Sequence, residues 1–299
     1  MSRVSQKLLI YWVVFLGISL GMEICLPSIS QAISFKLKVS LEKDANGVHF
    51  HYPLAMYYDQ TTQRLYVSDT GNNRLVSFDR QGTPLKEFDA AGQLKGPLAM
   101  VRDQTGSLWV VERPLNSLTH IDLKAQRLKR HQLTYQGRTV LVDRLLVWKK
   151  HLIVLDRATG EALLLDRSLK VNRAIRPKNK DFRGFFDIKI KGDWLWGLEN
   201  ISARIYGINL TTGKEIFVTP DRKLSLPVAL EIDRQMNIYI LDRYLKKIFV
   251  FDKNGRFRYS FLDEGATPGH LNYPWQLLFV DSELLVLDEG NGRIDIWRH

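Results

Sequence analysis

The chain of 299 residues contains one cysteine, and that scarcity excludes several kinds of site. A single thiol forms no intramolecular disulfide and cannot build a zinc site from paired cysteines. Cys25 follows Met22, Glu23 and Ile24, whereas a lipid-modified cysteine follows a leucine and small residues. We therefore expect Cys25 to be removed together with the N-terminal segment, which would leave the mature chain without a thiol.

Motifs that carry catalysis are also lacking. The sequence has no Walker A loop, no His-Glu-x-x-His pair and no EF-hand loop. Its one Gly-x-Ser-x-Gly match, Gly17–Gly21, lies in an apolar stretch and lacks the strand–turn–helix context of a nucleophile elbow. Seven histidines are scattered along the chain without ligand spacing. The sequence thus predicts no catalytic residue, no metal site and no cofactor.

Long apolar runs are confined to the N-terminus. Arg3 and Lys7 precede an uncharged run from Leu8 to Met22, and Ser30-Gln31-Ala32 places small residues around a cleavage point. The run of 15 residues is shorter than the roughly 20 that a spanning helix needs. We predict a signal peptide over 1–32, no membrane span after its cleavage, and a periplasmic or secreted location. An uncleaved anchor is the alternative.

Negative charge is in deficit, because 43 Lys and Arg residues face 32 Asp and Glu residues for a net charge of +11. The predicted leader carries Arg3, Lys7 and Glu23, so residues 33–299 keep +10. A field of this sign favours anionic partners such as acidic glycans, lipid head groups or cell-wall polymers. Export argues against nucleic acid as the partner. The other interpretation is that the surplus charge only keeps the surface soluble.

An acidic residue closes a short β-type run six times, with gaps of 43, 44, 43, 43 and 46 residues. Repeats of 20–50 residues are typical of solenoids, propellers and arrays. Each unit offers four short apolar runs bounded by Gly, Asn or Asp, which predicts a four-stranded antiparallel sheet. The acids are Asp69, Glu112, Asp156, Glu199, Asp242 and Asp288.

The sixth unit ends after its third predicted strand, while residues 35–41 form an alternating strand with no unit of their own. An open array would expose an unpaired edge and two apolar faces. We therefore predict an all-β fold, a six-bladed propeller closed by this N-terminal strand, with 33–299 as one domain and a monomer.

The units resemble the NHL repeat, in which a hydrophobic run ends in Asp and is followed by Asn and Arg. Asp69 with Asn73-Arg74, and Asp288 with Asn291 and Arg293, carry the resemblance best. It covers roughly residues 48–299, and units three and four are degenerate. The resemblance implies a binding module for proteins or other ligands. It also implies that binding uses the mouth where the turn after strand two meets the loop before strand one.

The acids are interpreted as acceptors for backbone N–H groups of the turns that follow them, in preference to a ring of calcium ligands. Arginines follow three of the acids, and Arg183 stands ahead of the first strand of unit four. Together with aromatic residues near the same mouth, they have the composition of a binding hot spot for anionic groups. The alternatives are salt bridges to an adjacent blade and core packing. The candidate ligand-binding residues are Arg113, Arg157, Arg183, Arg243, Tyr52, Tyr244, Tyr273 and Trp275.

Two functions stay open from the sequence. The first is an exported, non-enzymatic binding or scaffold module for a protein or an anionic glycan, lipid or other envelope polymer. The second is a metal-dependent propeller hydrolase or lactonase with its active site in the central channel. Two or three convergent Asp, Glu, Asn or His side chains with perturbed pKa values near the axis would favour the enzyme.

Overall fold

A computed structural model describes residues 35–122, 125 and 127–298. The predicted leader and its Cys25 lie outside this part of the chain. Six four-stranded antiparallel sheets and one two-stranded hairpin make up the described structure, so the fold is all-β. Within the same residues, no helix has the length and apolar character needed to cross a bilayer.

Strand boundaries follow the repeat. The closing strand and the first three blades, with the hairpin β10–β11 between blades two and three, comprise β1 (Lys36–Leu41), β2 (Pro53–Asp59), β3 (Arg64–Asp69), β4 (Arg74–Phe78), β5 (Pro84–Phe88), β6 (Pro97–Arg102), β7 (Leu108–Glu112), β8 (Ser117–Asp122), β9 (Arg127–His131), β10 (Thr134–Tyr135), β11 (Arg138–Thr139), β12 (Val142–Trp148), β13 (His151–Asp156), β14 (Glu161–Leu165) and β15 (Val171–Ile175).

The second half continues the pattern through three further blades. Its strands are β16 (Asp187–Lys191), β17 (Trp194–Glu199), β18 (Arg204–Asn209), β19 (Glu215–Val218), β20 (Pro227–Ile232), β21 (Ile238–Asp242), β22 (Lys247–Phe251), β23 (Phe257–Phe261), β24 (Pro274–Val280), β25 (Glu283–Asp288) and β26 (Arg293–Arg298). Short 3₁₀ turns at Thr70–Asn72, Arg113–Leu115 and Glu289–Asn291 follow the second strands of blades one, two and six.

Burial differs between the strands of a blade in the way that propeller packing requires. The inner strand β20 and the second strand β21 are buried along their whole lengths, because neighbouring blades cover both of their faces. The outer strand β5 is exposed or half-buried throughout. Inner and second strands therefore read as almost continuous apolar runs, and outer strands as polar ones.

The six inner strands form a closed ring. Each inner strand contacts the next one in the order β2, β6, β12, β16, β20 and β24, and β24 contacts β2. The apolar cores lie between adjacent blades; Val67 of blade one, for example, packs in one cluster with Leu285 and Leu287 of blade six. A six-bladed propeller is thus confirmed.

Ring closure also follows the prediction. Strand β1 pairs antiparallel with β26, from Lys36 opposite Arg298 to Leu41 opposite Ile294, and completes the sixth blade. Glu283 of β25 is 2% exposed and forms salt bridges with Lys38 of β1, Arg298 of β26 and Arg80 of blade one. One buried carboxylate therefore joins the first strand, the last strand and the neighbouring blade.

The six acids of the repeat are fully buried, and each accepts an N–H group from the loop ahead of the inner strand of its own blade. The sequence interpretation placed their partners in the turn that follows each acid. Asp156 and Asp242 do accept such an additional hydrogen bond, from the N–H groups of Ala158 and Tyr244. The shared donors are the N–H groups of His51 to Asp69 (2.7 Å), Lys95 to Glu112 (2.8 Å), Leu141 to Asp156 (3.0 Å), Arg183 to Glu199 (2.9 Å), Ser225 to Asp242 (2.6 Å) and Asn272 to Asp288 (2.8 Å).

Closure of the ring should depend on pH through Glu283. Burial acts to raise its pKa, but hydrogen bonds from Arg80, Lys38 and Arg298 outweigh burial and lower the pKa to about 2. Because the folded pKa lies below the ordinary value of 4.5, the ionised carboxylate stabilises the fold above pH 4.5. We expect Glu283→Gln to lower the free energy of unfolding by about 3 kcal/mol at pH 7.

The difference in the free energy of unfolding between the unmodified chain and the Glu283→Gln variant should shrink as the pH falls from 4.5 towards 2. Urea unfolding at several pH values measures this difference. The matched control is Asp281→Asn, since Asp281 is a 54% exposed partner of the same Arg80 and should contribute less than about 1 kcal/mol. A deficit that stayed constant across the pH range would contradict the assignment.

Removal of the charge of one buried acid of the repeat should destabilise blade one. Asp69 accepts the His51 N–H group at 2.7 Å and the Arg74 Nε atom at 2.8 Å, and Asp69→Asn leaves that buried arginine facing an amide. We expect a loss of about 3–5 kcal/mol in the free energy of unfolding. Glu87→Gln is the control, because Glu87 pairs with the same Arg74 at 46% exposure and should cost less than about 1 kcal/mol. Equal losses in both variants would overturn the expectation.

Candidate functional site

One end of the propeller is defined by the six buried acids, and we call it the clasp face. Second strands end there and inner strands begin there, as shown by the pairing of Pro53 with Asp69 and of Pro274 with Asp288. The loops ahead of the inner strands and the turns after the second strands share this end. Seven of the eight candidate ligand-binding residues of the sequence occupy those loops and turns, and Trp275 is the second residue of β24, next to the same end.

Arg243, Tyr273 and Trp275 meet where blade five adjoins blade six. The Arg243 guanidinium lies 5.3 Å from the centre of the Tyr273 ring and 5.1 Å from that of Trp275. It also donates to the Tyr273 carbonyl at 3.0 Å and pairs with Glu289 at 2.7 Å. The buried indole N–H of Trp275 has no hydrogen-bond partner among the described residues. The aromatic pair is therefore held by an arginine and keeps one unused donor.

A second arginine joins this group through two residues that the sequence interpretation missed. Arg113 pairs with Asp143 at 2.5 Å, and Asp143 pairs with Arg144 at 2.7 Å. The Arg144 guanidinium lies 5.3 Å from the centre of the Trp275 ring. Contacts thus run without a break from Arg113 on blade two to Trp275 on blade six.

Salt bridges between blades, the alternative considered for the arginines, account for two of them. Arg113 and Arg243 each pair with a carboxylate of the next blade, and their side chains are 37% and 19% exposed. Arg157 and Arg183 differ, because both are exposed and neither has a salt-bridge partner among the described residues. These two guanidinium groups are the ones available to a ligand.

The tyrosines of the clasp face are exposed, at 58% for Tyr52, 55% for Tyr273 and 67% for Tyr244. Tyr52 and Tyr273 each stand directly before the proline of an inner strand, with φ of 50° and 52°. Blade two has Gly96 at the same position with φ of 49°. A bulky residue in this left-handed region is strained by about 1–3 kcal/mol, and such strain concentrates at functional sites.

The clasp face is chemically divided. Arginines occupy the turns and loops of blades two, three and four, through Arg113, Arg157 and Arg183. The aromatic candidates occupy blades five, six and one, and Arg243 lies within that half, where blade five adjoins blade six. The aromatic side chains are Tyr244, Tyr273, Trp275 and Tyr52.

The inner strands enclose a central cavity of about 420 Å³. Asp187 of β16 accepts a hydrogen bond from Nε of Arg144 at 3.2 Å and another from the backbone N–H group of Leu230 at 3.0 Å. Glu231 of β20 pairs with Lys189 at 3.2 Å. Both carboxylates line the central cavity. Each already forms a salt bridge, Asp187 with Arg144 and Glu231 with Lys189.

Burial raises the pKa of Glu231 above its ordinary value; the nearby Lys189 offsets part of this effect and the charge of Asp187 adds to it. The cluster needed for channel chemistry is thus present in part, with two carboxylates and one perturbed pKa. Throughout the described residues, no group of three or more His, Cys, Asp or Glu side chains is arranged to hold a metal ion. The residues present do not fit the metal of a metal-dependent hydrolase.

The residues that the sequence interpretation missed carried a visible signal. Asp143 lies within the strand irregularity of β12 and Arg144 directly follows it, which are the positions of Leu54 and Ala55 in β2, so two charges replace two apolar residues on an inner strand. Unit three lacks the leading proline that marks these positions in the other regular units, so this equivalence is hidden in its sequence.

Comparison with known proteins gives a fold and no family. No family model matches the chain, and no curated protein matches it. Among solved structures, the chain is similar to a streptogramin B lyase (13% identity, 88% of this chain and 97% of that chain, TM-score 0.64). It is also similar to a gluconolactonase from Xanthomonas campestris (14%, 83% and 86%, TM-score 0.63) and to virginiamycin B lyase from Staphylococcus aureus (14%, 83% and 80%, TM-score 0.61). At these identities the likeness concerns the propeller alone.

Proposed function

We propose that this chain is an exported, non-enzymatic binding module of the NHL type whose clasp face holds a protein with an acidic surface. The observation that carries the proposal is the distribution of exposed apolar side chains. Within the described residues, eight of the ten large hydrophobic side chains with high exposure lie on the clasp face. The eight are Val48, Tyr52, Leu115, Ile201, Leu226, Tyr244, Leu245 and Tyr273.

Apolar exposure concentrated on one face marks an interaction surface, because scattered exposure is the usual condition of a soluble protein. Tyrosine, tryptophan and arginine are the residues that dominate binding energy at protein interfaces. The main chain at Tyr52 and Tyr273 is already fixed in a left-handed conformation, so these two exposed rings can engage a partner without a cost for ordering the backbone. These features support a protein partner over a purely ionic one.

Charge decides which protein surface fits. Arg157 and Arg183 are exposed and unmatched among the described residues, so a partner's carboxylates would complete them without displacing an existing salt bridge. The surplus of positive charge would attract such a partner at long range. A polymer of the cell envelope that binds through its anionic groups alone satisfies the arginines and leaves the exposed rings unused, and the experiment below separates it from a protein.

The test titrates the full chain with three anionic probes, measured by fluorescence anisotropy at low and moderate salt. The probes are poly-glutamate, a random copolymer of glutamate and tyrosine, and polyphosphate. We expect the copolymer to bind about tenfold more tightly than poly-glutamate because it also uses the aromatic half of the face. Polyphosphate that bound as tightly as the copolymer would make an envelope polymer the ligand.

Arg157→Gln combined with Arg183→Gln should weaken copolymer binding about tenfold or more, because two charge-assisted hydrogen-bonding groups are lost. The matched control is Lys253→Gln combined with Arg256→Gln, which removes two exposed cations from the turn between β22 and β23 at the opposite end. Loss of binding in the control and not in the test variant would place the site elsewhere.

A hydrolase acting in the channel is the second candidate, and the raised pKa of Glu231 is the observation that favours it. A solved structure of similar fold is described as a gluconolactonase. We expect the full chain to hydrolyse glucono-δ-lactone no faster than buffer does, because Asp187 and Glu231 are each matched by a cation. A faster rate that disappeared in Glu231→Gln would identify an enzyme and overturn the binding-only proposal.

A further inference from the structure

A cavity of about 530 Å³ opens between blades two and three at the end opposite the clasp face. Three turns surround it: 103–107 between β6 and β7, 149–150 between β12 and β13, and 166–170 between β14 and β15. Each of these turns follows the end of a strand that begins on the clasp face. The cavity is therefore distinct from the clasp face, and Val147 is the one lining residue that it shares with the central cavity.

The floor of this inter-blade cavity is apolar. Trp109, Val147, Leu152 and Leu169 line it, and the same four side chains pack into the core cluster shared by blades two and three. The indole of Trp109 is fixed in place, because its N–H group donates to Asp103 at 2.8 Å and its ring lies 4.8 Å from that of His120. A ligand ring would thus meet a floor that is already ordered.

The acids of the rim are engaged by their own turns. Asp103 accepts the N–H groups of Thr105 at 2.9 Å and Ser107 at 3.0 Å, besides the Trp109 indole. Asp166 accepts hydrogen bonds from the backbone N–H groups of Ser168 at 2.8 Å and Lys170 at 3.0 Å. These carboxylates shape the turns, and little of their acceptor capacity is left for a ligand.

The cations of the rim are not engaged. Lys150 and Arg167 line the cavity and are exposed, and neither has a salt-bridge partner among the described residues. An ordered apolar floor, with two cations at its rim that form no salt bridge among the described residues, fits an amphipathic molecule. Such a molecule would have a flat or branched apolar body and one anionic group.

We propose that the inter-blade cavity is a binding site for a small amphipathic anion, with its apolar body against Trp109 and its anionic group between Lys150 and Arg167. The volume of the cavity falls within the roughly 300–1,000 Å³ of small-molecule sites. The site is independent of the proposed function, because its residues lie at the other end of the ring. A carboxylate, sulfonate or phosphate satisfies the same two cations.

The test uses two fluorescent probes that share an apolar body, 8-anilinonaphthalene-1-sulfonate and its uncharged analogue N-phenyl-1-naphthylamine. The full chain should bind the sulfonate at one site and about tenfold more tightly than the analogue. Lys150→Gln combined with Arg167→Gln should remove that tenfold advantage and leave binding of the uncharged probe unchanged. Both replaced side chains are exposed, so the fold is expected to be retained.

Lys253→Gln combined with Arg256→Gln is again the control, because it removes two exposed cations from the same end of the ring at blade five. It should leave both probes bound as in the unmodified chain. Equal sulfonate affinity in the unmodified chain and the Lys150–Arg167 variant would overturn the site. Copolymer binding on the clasp face should be unaffected by that variant, so failure of either proposal is recognisable separately.

Discussion

The structure depends on one carboxylate in every blade that is removed from water and accepts a hydrogen bond from the loop ahead of the inner strand of the same blade. An ionised acid without partners would be prohibitively costly at zero exposure. Each acid therefore requires a backbone N–H group from the loop ahead of its inner strand, and that loop has little freedom left. The requirement explains why the acid spacing persists in units three and four, where the proline and other markers of the repeat are lost.

Rigid loop entries also explain how the clasp face presents its side chains. A residue placed directly before an inner strand inherits a backbone fixed by the buried acid, and at Tyr52 and Tyr273 that backbone is left-handed. Regular positions of the repeat hold the ring together, whereas irregular ones carry the candidate chemistry. The charged pair Asp143–Arg144 and the channel acid Glu231 follow the same rule, since each interrupts an otherwise apolar inner strand.

Much of this could be predicted from the sequence, for a physical reason. Equal spacing of an obligatory feature implies a repeat, and an unpaired strand at one end with a missing strand at the other implies closure. The proximity of Arg243 to Tyr273 follows from that register as well. The contacts of Arg144 with Asp187 and Trp275 could not be predicted, because they depend on how far adjacent blades rotate and on which face of an inner strand a side chain takes. The inter-blade cavity could not be predicted either, because its shape depends on the relative positions of three turns from two blades.

Pairing of β1 with β26 places the two ends of the ring beside each other, with Lys36 opposite Arg298. The pairing of the first strand with the last is therefore of the same kind as the other strand pairs of the blades. A circular permutant that joined these ends and opened in the connection between β19 and β20 would retain every strand pair. All four strands of its sixth blade would then be consecutive in sequence. Glu283 would join strands that follow one another directly, whereas in this chain it joins the first strand of the ring to the last.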